Sequence, residues 1–583
     1  MIINNMNNIN REVIHKPANF AFFGIPLFLV FNLIFVQPIS SQNQDQEVTI
    51  IAPYRPTISD AAKINFTPVM SDEAIEQKPI IYSVQTIKPL YAEFRTEPLT
   101  PVLIDLDSKD TLRRNYLKTG FGNYTTPYAE LYSNSLRSND FSLGFHARHL
   151  SSSGQINDYA NSKYSFNQVS LFGKKYLKDR ILSADVFYHR DVVHYYGFKP
   201  DDYPQNKLDD NDLKQRFSLL GFNTAIASNY SRNNDINFVS SLSFYHHSDL
   251  FQSNETFVGI GGDVNTKNEF IDFVKRQELG SALNLDFYKN KDSLQSQGNF
   301  MMTLKPYLRL NFDYLDLKIG LNAAITADSS LKAHAWPEIY ASYQVIPGFL
   351  RFYAGLSGEL KRNSYKSVSD ENPWVNPVFP LDYTNTKIEL KGGFTGNFNK
   401  LVDYNFRVSW TEVEKMLFFV NDFPEPYSNY DTTAVTGIKF TARYDDVKLT
   451  EVSLETSYEQ SEKMNLLFEA VYRNYKMTNL SKPWHKPAFT AKAGVIYKIN
   501  SRTMVTGELF YESKVYAQVL DMNTWKIVSR DGFVDLNVGA EYKINGNISA
   551  FARLNNLTAT RYYRWYNYPS QRLNAMAGLT FSF

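Results

Sequence analysis

The chain has 583 residues, with 61 lysines and arginines against 60 aspartates and glutamates, and it contains no cysteine. The balanced charge excludes the basic field of a nucleic-acid-binding protein, and the lack of cysteine excludes disulfides, thiolate metal sites and a lipid-modified N-terminal cysteine. Aromatic residues make up 15% of the chain although its mean hydropathy is negative. This combination is typical of a transmembrane barrel, in which only alternate residues face lipid.

Residues 1–41 are predicted to be a cleaved secretory signal peptide. Basic residues precede an apolar run at 20–36, and Ser41 provides a small residue at the cleavage position. A transmembrane anchor is the alternative, but the run is shorter than the roughly 20 residues that span a bilayer, and Pro26 interrupts it. The sequence therefore predicts export of the mature chain.

Residues 42–113 are predicted to be an extended periplasmic or lumenal segment. Prolines recur along it, as in EVTIIAPYRPTISDAAKINFTP, which begins at Glu47. Proline lacks a backbone donor and interrupts helices and central strands, so this density argues against a compact domain. We expect short edge strands or extended chain that lies against another part of the molecule.

Residues 114–583 show the alternation of a transmembrane barrel. In VDYNFRVSW, residues 402–410, apolar side chains share one strand face and polar side chains share the other, and the stretches 488–499 and 533–544 repeat this pattern. We predict an all-β protein: a transmembrane antiparallel up-and-down β-barrel of about 22 strands, preceded by the short extended N-terminal segment. Its last strand is expected to pair with the first, near 116–123, because closure removes both sheet edges.

Short turns and long loops alternate along the predicted barrel. Asn545-Gly546 is the strongest hairpin signal, because both central residues of a type I′ turn need positive φ. Short turns on one rim and long loops on the other are typical of outer-membrane barrels, whose short side faces the periplasm. Strand boundaries at 253–299 stay open by one hairpin, and the glycines of GIGGDV at 259–264 are expected to mark a strand irregularity or bulge. The long connections are predicted at roughly 151–163, 199–214, 364–386, 421–436, 476–487, 517–532 and 558–571.

Aromatic residues cluster near the predicted strand ends. Tyrosine and tryptophan hold the headgroup level in outer-membrane barrels, so the main interpretation is an interfacial girdle. A ligand platform in the loops is the alternative. The clusters are Tyr195, Tyr196, Phe418, Phe419, Tyr472, Tyr475 and the stretch RYYRWYNYP at 561–569.

The sequence predicts no enzyme, no cofactor and no metal site. It contains no phosphate-binding glycine loop, no His-Glu-x-x-His motif and no Gly-x-Ser-x-Gly elbow. His246 and His247 are adjacent on a predicted strand, so their side chains point to opposite faces and cannot easily share one metal ion. Inward charges such as Arg407, Glu469 and Lys492 are expected to line a wet lumen and to pair across strands.

The final hairpin, RLNNLTATRYYRWYNYPSQRLNAMAGLTFSF, resembles the closing hairpin of TonB-dependent receptors, in the aromatic-rich form of the Bacteroidetes. The glycine usual before Tyr-Pro is Asn567 here. The resemblance implies a 22-stranded barrel with a plugged lumen, yet 42–113 is too short and too rich in proline for a complete plug domain. That segment, inward-folded loops or another protein would then fill the lumen. The matching residues are Asn555, Asn556, Leu557, Tyr562, Tyr568, Pro569, Arg572 and Phe583.

Two short stretches are similar to functional signals of that family. A hexapeptide near the start of the mature chain is similar to a Ton box, which pairs with an energy-coupling periplasmic protein by strand addition; an ordinary edge strand is the alternative. The terminal strand is similar to the signal that the barrel-assembly machinery reads. The Ton-box-like residues are Glu47, Val48, Thr49, Ile50, Ile51 and Ala52, and the assembly-signal residues are Leu579, Phe581 and Phe583.

The resemblance implies an outer-membrane barrel of TonB-dependent receptor type that takes part in ligand uptake across the outer membrane. Its expected partners are outer-membrane lipid, the barrel-assembly machinery, an energy-coupling periplasmic protein, and a surface lipoprotein or separate plug. The alternative is a non-transporting barrel that serves as a scaffold subunit of an envelope complex, with its lumen sealed by the N-terminal segment or a partner. The incomplete plug favours the scaffold, and the Ton-box-like hexapeptide favours the receptor.

Overall fold

The computed structural model describes residues 112–202, 213–229, 236–267, 271–274, 276–328, 330–422, 437–460, 463–521 and 524–583. The predicted signal peptide, nearly all of the extended segment and the Ton-box-like hexapeptide lie outside the described residues. Within those ranges the secondary structure is almost all strand, with one α-helix, α1 (Tyr365–Glu371), and one 3-10 turn at Pro200–Asp202. No helix in the described ranges is long and apolar enough to cross a membrane.

The fold is built from antiparallel strands that close on themselves. They are β1 (Asn115–Gly122), β2 (Thr126–Asn134), β3 (Phe141–Ser152), β4 (Tyr164–Tyr176), β5 (Arg180–His194), β6 (Lys214–Ser228), β7 (Ile236–Ser248), β8 (Asn254–Lys267), β9 (Arg276–Lys291), β10 (Ser296–Asn311), β11 (Leu315–Ala327), β12 (Leu331–Ile346), β13 (Leu350–Arg362), β14 (Tyr383–Phe398), β15 (Val402–Asn421), β16 (Phe440–Gln460), β17 (Met464–Met477), β18 (Phe489–Lys498), β19 (Thr503–Glu512), β20 (Val515–Asp521), β21 (Thr524–Arg530), β22 (Phe533–Lys543), β23 (Ile548–Asn555), β24 (Tyr563–Trp565), β25 (Tyr568–Pro569) and β26 (Asn574–Ser582). All except β20, β21, β24 and β25 belong to one 22-stranded sheet, in which β1 pairs with both β2 and β26. The predicted fold class and strand number are confirmed.

The closing seam joins the first and last strands, as the terminal sequence predicts. β1 and β26 pair in continuous register from Tyr116–Ser582 to Gly122–Met576. The backbone of Phe583 extends this pairing by exchanging hydrogen bonds with the backbone of Asn115, at N···O distances of 2.8 and 3.0 Å. The Phe583 side chain is 58% exposed. The recognition of this strand by an assembly machinery stays a prediction.

The two rims of the barrel differ in their connections, as predicted. The rim that carries the end of β26 has mostly short turns, such as 177–179, 347–349 and 544–547. The opposite rim, called the long-loop rim below, has four short turns, and the remaining connections there are long. These long segments are 153–163, 195–213, 363–382, 422–439, 478–488, 513–532 and 556–573.

β8 contains the GIGGDV stretch and runs without the expected irregularity. Its register with β7 and β9 is continuous through these glycines, so the bulge prediction is wrong. Gly259 instead leaves room for the Phe257 ring, whose Cζ atom would lie only 2.5 Å from a Cβ added at Gly259. Glycine serves here for the close approach of an aromatic side chain to the backbone. The stretch left open in the sequence resolves into β8, β9 and β10.

The faces of the barrel wall follow the predicted alternation. Large apolar side chains remain exposed on the outer face, including Val408, Val534 and Leu579 at 40% each. Charged side chains on the other face pair across strands. Examples are Arg473 Nε with Glu451 Oε2 at 2.9 Å, Arg407 Nη2 with Glu451 Oε1 at 3.4 Å, and Lys492 Nζ with Glu469 Oε2 at 3.1 Å.

Candidate functional site: a closure built from the long loops

Three long segments leave the ring at widely separated points. Segment 195–213 joins the fifth and sixth strands of the ring, 363–382 joins the thirteenth and fourteenth, and 556–573 joins the last two. The points where these segments leave the ring, called their roots below, are separated from one another by roughly a third of the 22 strands. We call segment 363–382, which carries α1, the strap.

These segments contact one another across the barrel mouth. Tyr195 Oη donates to the Val375 carbonyl of the strap at 3.1 Å. Tyr196 Oη donates to the Pro569 carbonyl of the last segment at 3.0 Å. Segments rooted so far apart on a ring can meet only by crossing its opening. We call the resulting closure of the long-loop rim the cap.

A projecting hairpin lies at the centre of the cap. β15 and β16 are the longest strands of the ring, at 20 and 21 residues. β15 is bulged between Val413 and Met416, where Lys415 adopts a left-handed conformation with φ 54°. A bulge bends its strand and raises the local twist, so the hairpin changes direction there. We call the part beyond the bulge, Met416–Asn421 with Phe440–Asp445, the tongue.

The tongue is buried on both faces. Even-numbered side chains of the run MLFFV at 416–420 pack in a cluster with Trp484 of segment 478–488. Odd-numbered ones pack in another cluster with Trp565, Tyr568 and the strap. A strand that is buried on both faces appears in a sequence as a continuous apolar run, without alternation. The run 416–420 is therefore the signal by which the sequence could have located the tongue.

The cluster between tongue and strap is an aromatic core. The Trp374 and Tyr568 ring centroids lie 4.3 Å apart, and those of Phe440 and Trp565 lie 5.4 Å apart. Aromatic pairs of this kind contribute about 0.5–1.5 kcal/mol each beyond the area that they bury. Its buried members are Phe217, Tyr365, Val368, Val375, Phe379, Leu417, Phe419, Phe440, Ala442, Trp565 and Tyr568.

The predicted aromatic girdle is wrong for most of its proposed members. Tyr195, Phe418, Phe419 and Tyr568 are at most 2% exposed, because the segments that carry them fold over the lumen and bury them in the cap. Tyr472, at 50% exposure on the outer wall, fits a girdle position. The sequence shows that aromatic residues stand at strand ends, but the direction in which the next loop turns depends on its distant contacts.

The tyrosine-rich motif of the final hairpin belongs to the cap. Tyr568 Oη donates to the Ile438 carbonyl at 2.6 Å, and Tyr562 Oη donates to Asp535 Oδ2 at 2.8 Å. Asn567 has a positive φ of 61°. Glycine adopts this left-handed conformation freely, and asparagine tolerates it better than most other residues. The replacement of the usual glycine by Asn567 therefore keeps the turn that presents Tyr568.

Three buried residues from the β7–β8 hairpin hold the strap, and we call them the anchor. Glu255 Oε2 accepts a hydrogen bond from the Tyr365 backbone N–H, in the first turn of α1, at 2.8 Å. Asp249 Oδ2 accepts one from Tyr365 Oη at 2.8 Å. His247 Nε2 lies 3.0 Å from Ser369 Oγ. α1 is thereby fixed to strands that are distant from its own roots in β13 and β14.

Each anchor carboxylate has several donors. Glu255, which is fully buried, also accepts from Tyr245 Oη and Asn290 Nδ2, both at 2.7 Å. Asp249 also accepts from Gln215 Nε2 at 3.1 Å and from two backbone N–H groups. Burial raises the pKa of the Asp249 carboxyl above its ordinary value. A buried carboxylate is costly unless it is hydrogen-bonded, so loss of the strap would remove donors on which the anchor depends.

A buried histidine links the tongue to the loops on both of its sides. His485 Nδ1 lies 3.0 Å from the Phe419 carbonyl, and the Tyr566 N–H donates to His485 Nε2 at 3.4 Å. The imidazole ring lies 5.2 Å from the Trp565 ring. Burial lowers the pKa of His485 to about 3. The ring is therefore neutral in the closed cap.

Acid is expected to weaken the cap at His485. The pKa of this residue is lowered on burial, so an opened loop binds a proton more readily than the closed one. Burial of neutral His485 contributes fully to the stability of the closed cap above pH 6.5. This contribution is lost progressively as pH falls toward 3, by at most about 5 kcal/mol. Amide hydrogen exchange in segment 478–488 should become faster between pH 6.5 and 4.5, after correction for intrinsic rates. The variant His485→Gln should lack this extra pH dependence; an identical profile would contradict the assignment.

The two adjacent histidines have separate environments, as predicted. His246 Nδ1 lies 2.9 Å from Thr256 Oγ1 in an exposed position, whereas His247 belongs to the anchor. Among the residues that the structure describes, no group of three or more histidine, cysteine or acidic side chains could hold a metal ion. The role of His247 in holding the strap was not visible in the sequence, because its partner is 122 residues away.

No protein-family model and no curated protein matches the chain. Solved structures are similar in fold. FpvA of Pseudomonas aeruginosa, in complex with heterologous pyoverdine and iron, gives a TM-score of 0.60 at 12% identity, over 81% of this chain and 72% of that chain. The chain therefore has the same barrel fold as this protein. The ferric-catecholate import receptor Fiu of Escherichia coli K12 gives a TM-score of 0.60 at 8% identity, over 81% of this chain and 82% of that chain. The FrpB iron transporter of Neisseria meningitidis gives a TM-score of 0.60 at 11% identity, over 81% of this chain and 82% of that chain.

Proposed function

We propose that this protein is an outer-membrane barrel of TonB-dependent receptor type that takes part in ligand uptake across the outer membrane. The observation that carries the proposal is the closed 22-stranded ring with short turns on one rim and a loop-built cap on the other. Solved structures with this fold include a ferric-catecholate import receptor and an iron transporter. A cap that covers the mouth of such a barrel suits a receptor whose ligand must be admitted selectively.

The proposal includes a location and an orientation. Residues 1–41 are removed on export, 42–113 lie in the periplasm or the lumen, and 114–583 form the barrel in the outer membrane. The exposed apolar face contacts lipid, the long-loop rim faces outward and the short-turn rim faces the periplasm. The partners are the barrel-assembly machinery, an energy-coupling periplasmic protein, and a surface lipoprotein or separate plug.

The cap also supports a second candidate, a non-transporting scaffold subunit of an envelope complex. A buried anchor and a tongue that is buried on both faces make an extensive closure from the chain's own loops. A barrel without transport would need such a permanent seal. In that case the Ton-box-like hexapeptide would have no coupling partner.

Deletion of residues 46–53 distinguishes the two candidates. For a coupled receptor we expect the deletion strain to show the same growth phenotype as loss of the energy-coupling protein, because strand addition to the hexapeptide transmits the energy. The amount of heat-modifiable barrel in the outer membrane should not change. Deletion of residues 70–77, equal in length, is the matched control. A normal phenotype after deletion of 46–53 would contradict the receptor and favour the scaffold.

A further inference from the structure

The closing seam contains two glycines that face each other on β1 and β26. Gly120 and Gly578 are register partners, and Phe551 of β23 is the register partner of Gly578 on its other side. A Cβ added at Gly120 would lie 2.9 Å from Phe551 Cζ. One added at Gly578 would lie 2.7 Å from Phe551 Cε1 and still closer to the β1 backbone, at 2.0 Å from the Thr119 carbonyl oxygen. The ring of Phe551 therefore covers both glycines and reaches across β26 to β1.

The Phe551 ring is enclosed in this position. It is 5% exposed, and Lys118 Nζ lies 4.3 Å from its centroid. An aromatic ring over a strand glycine restores the packing that the missing side chain gives up, and it helps to fix strand register. Other glycines of the barrel are covered in the same way; Phe187 of β5 lies over its register partner Gly221 of β6, with Cζ 2.5 Å from an added Cβ.

The seam differs from the other strand pairs in how its two strands are connected along the chain. β5 and β6 are joined directly by one connection, whereas β1 and β26 are the first and last strands of the ring, joined only through all the others. A slip of two residues between β1 and β26 would keep every side chain on its face, because strand faces repeat every two residues. Alternation alone therefore cannot select the register. A slip would, however, move Gly120 away from the Phe551 ring and place Lys118 or Gly122 opposite Gly578.

We propose that the contact of the Phe551 ring with Gly120 and Gly578 selects the closing register of the barrel, and we call this contact the lock. Lys118 Nζ lies over the same ring. The lock forms only when β1 reaches its final position beside β26. It thus couples the last step of closure to one side-chain contact on the lumen wall. The lock is independent of the proposed uptake function, and a barrel of either proposed function would need it.

Disulfide cross-linking tests the lock, because the chain has no cysteine of its own. Tyr116→Cys with Ser582→Cys reports the native register, and Tyr116→Cys with Thr580→Cys reports a two-residue slip. We expect Phe551→Ala to lower the native cross-link relative to the slipped one by about fivefold, the equivalent of roughly 1 kcal/mol. Phe187→Ala, which removes an equivalent ring from a directly connected strand pair, should leave this ratio unchanged. Equal ratios for Phe551→Ala and the parent would overturn the proposal.

A double-mutant comparison gives a second, independent readout. Gly120→Ala should lower the heat-modifiable barrel fraction in the parent chain, because the new methyl group displaces the Phe551 ring. The same substitution in the Phe551→Ala background should cost less, since the nearest atoms to the methyl group are then the Ala577 carbonyl oxygen at 3.1 Å and Met576 Cγ at 3.4 Å. Such non-additivity is the mark of direct contact. Equal losses in both backgrounds would show that Gly120 and Phe551 act separately and would overturn the lock.

Discussion

Replacement of residues 365–380 in the strap by a glycine–serine linker of equal length should open the barrel mouth to solutes. The strap supplies Val368, Val375 and Phe379 to the aromatic core between tongue and strap. It also supplies the Tyr365 hydroxyl, which donates to Asp249 Oδ2, and the folded first turn of α1, whose Tyr365 N–H donates to Glu255 Oε2. A flexible linker without apolar or hydroxyl-bearing aromatic side chains cannot replace either set of contacts, so the cap should open. We expect access to the lumen to increase at least tenfold, which corresponds to about 1.4 kcal/mol of closure free energy.

A single cysteine on the lumen wall makes this access measurable. Ser457 lies on the same strand face as the paired residue Glu451, and the chain has no competing thiol. A membrane-impermeant maleimide added to intact cells should modify Ser457→Cys faster when the strap is replaced. The control is the double variant Lys366→Ala, Asp370→Ala, which removes a partly exposed ion pair from α1 and leaves the buried contacts intact. Unchanged labelling after replacement would show that the strap does not restrict entry.

Glu255→Ala should loosen the strap by a larger amount than any other single substitution in the anchor. The carboxylate accepts four hydrogen bonds, from Tyr245 Oη, Asn290 Nδ2 and the backbone N–H groups of Tyr365 and Lys366. A hydrogen bond to a buried charged group contributes about 1.5–3 kcal/mol, and unsatisfied donors add a penalty. Two of these bonds come from α1, and their loss should destabilise its closed position by roughly 3 kcal/mol or more.

Amide hydrogen exchange in α1 provides the measurement for this variant. Exchange at the buried turn around Val368 should become at least a hundredfold faster in Glu255→Ala, as expected for roughly 3 kcal/mol. Glu255→Gln retains one acceptor oxygen and should fall between the parent and Glu255→Ala. Lys366→Ala is the matched control on the same helix, because its ion pair with Asp370 is partly exposed and contributes little. If Glu255→Ala exchanges no faster than Lys366→Ala, the anchor does not hold the strap.

The barrel wall was predictable because its physical cause is local. A strand in a barrel wall has one face toward lipid and one toward the lumen, so the requirement repeats every two residues and is visible within a stretch such as 402–410. Closure followed from the cost of leaving a sheet edge unpaired, which is why the pairing of β26 with β1 could be anticipated.

The cap was not predictable in the same way, because its contacts join residues that are far apart in the chain. Tyr195 and Val375 are 180 residues apart, and no local pattern records that they meet. The sequence therefore supported the girdle for Phe418 and Phe419, although both are fully buried in the tongue. The continuous run 416–420 was a local signal for burial on two sides. A strict test for alternation, applied to the end of β15 as well as to its middle, would have separated the tongue from the wall.

The tongue has an energetic consequence because its alternate side chains are divided between two clusters. Withdrawal of the tongue from between these clusters breaks its contacts with Trp484 on one face and with Trp565 on the other at the same step. The two halves of the cap therefore cannot open gradually or one after the other. Tightly packed interfaces of this kind have discrete arrangements and do not deform continuously. The barrel mouth should accordingly behave as a two-state gate, and an agent that opens it must favour the open arrangement by the combined free energy of both clusters.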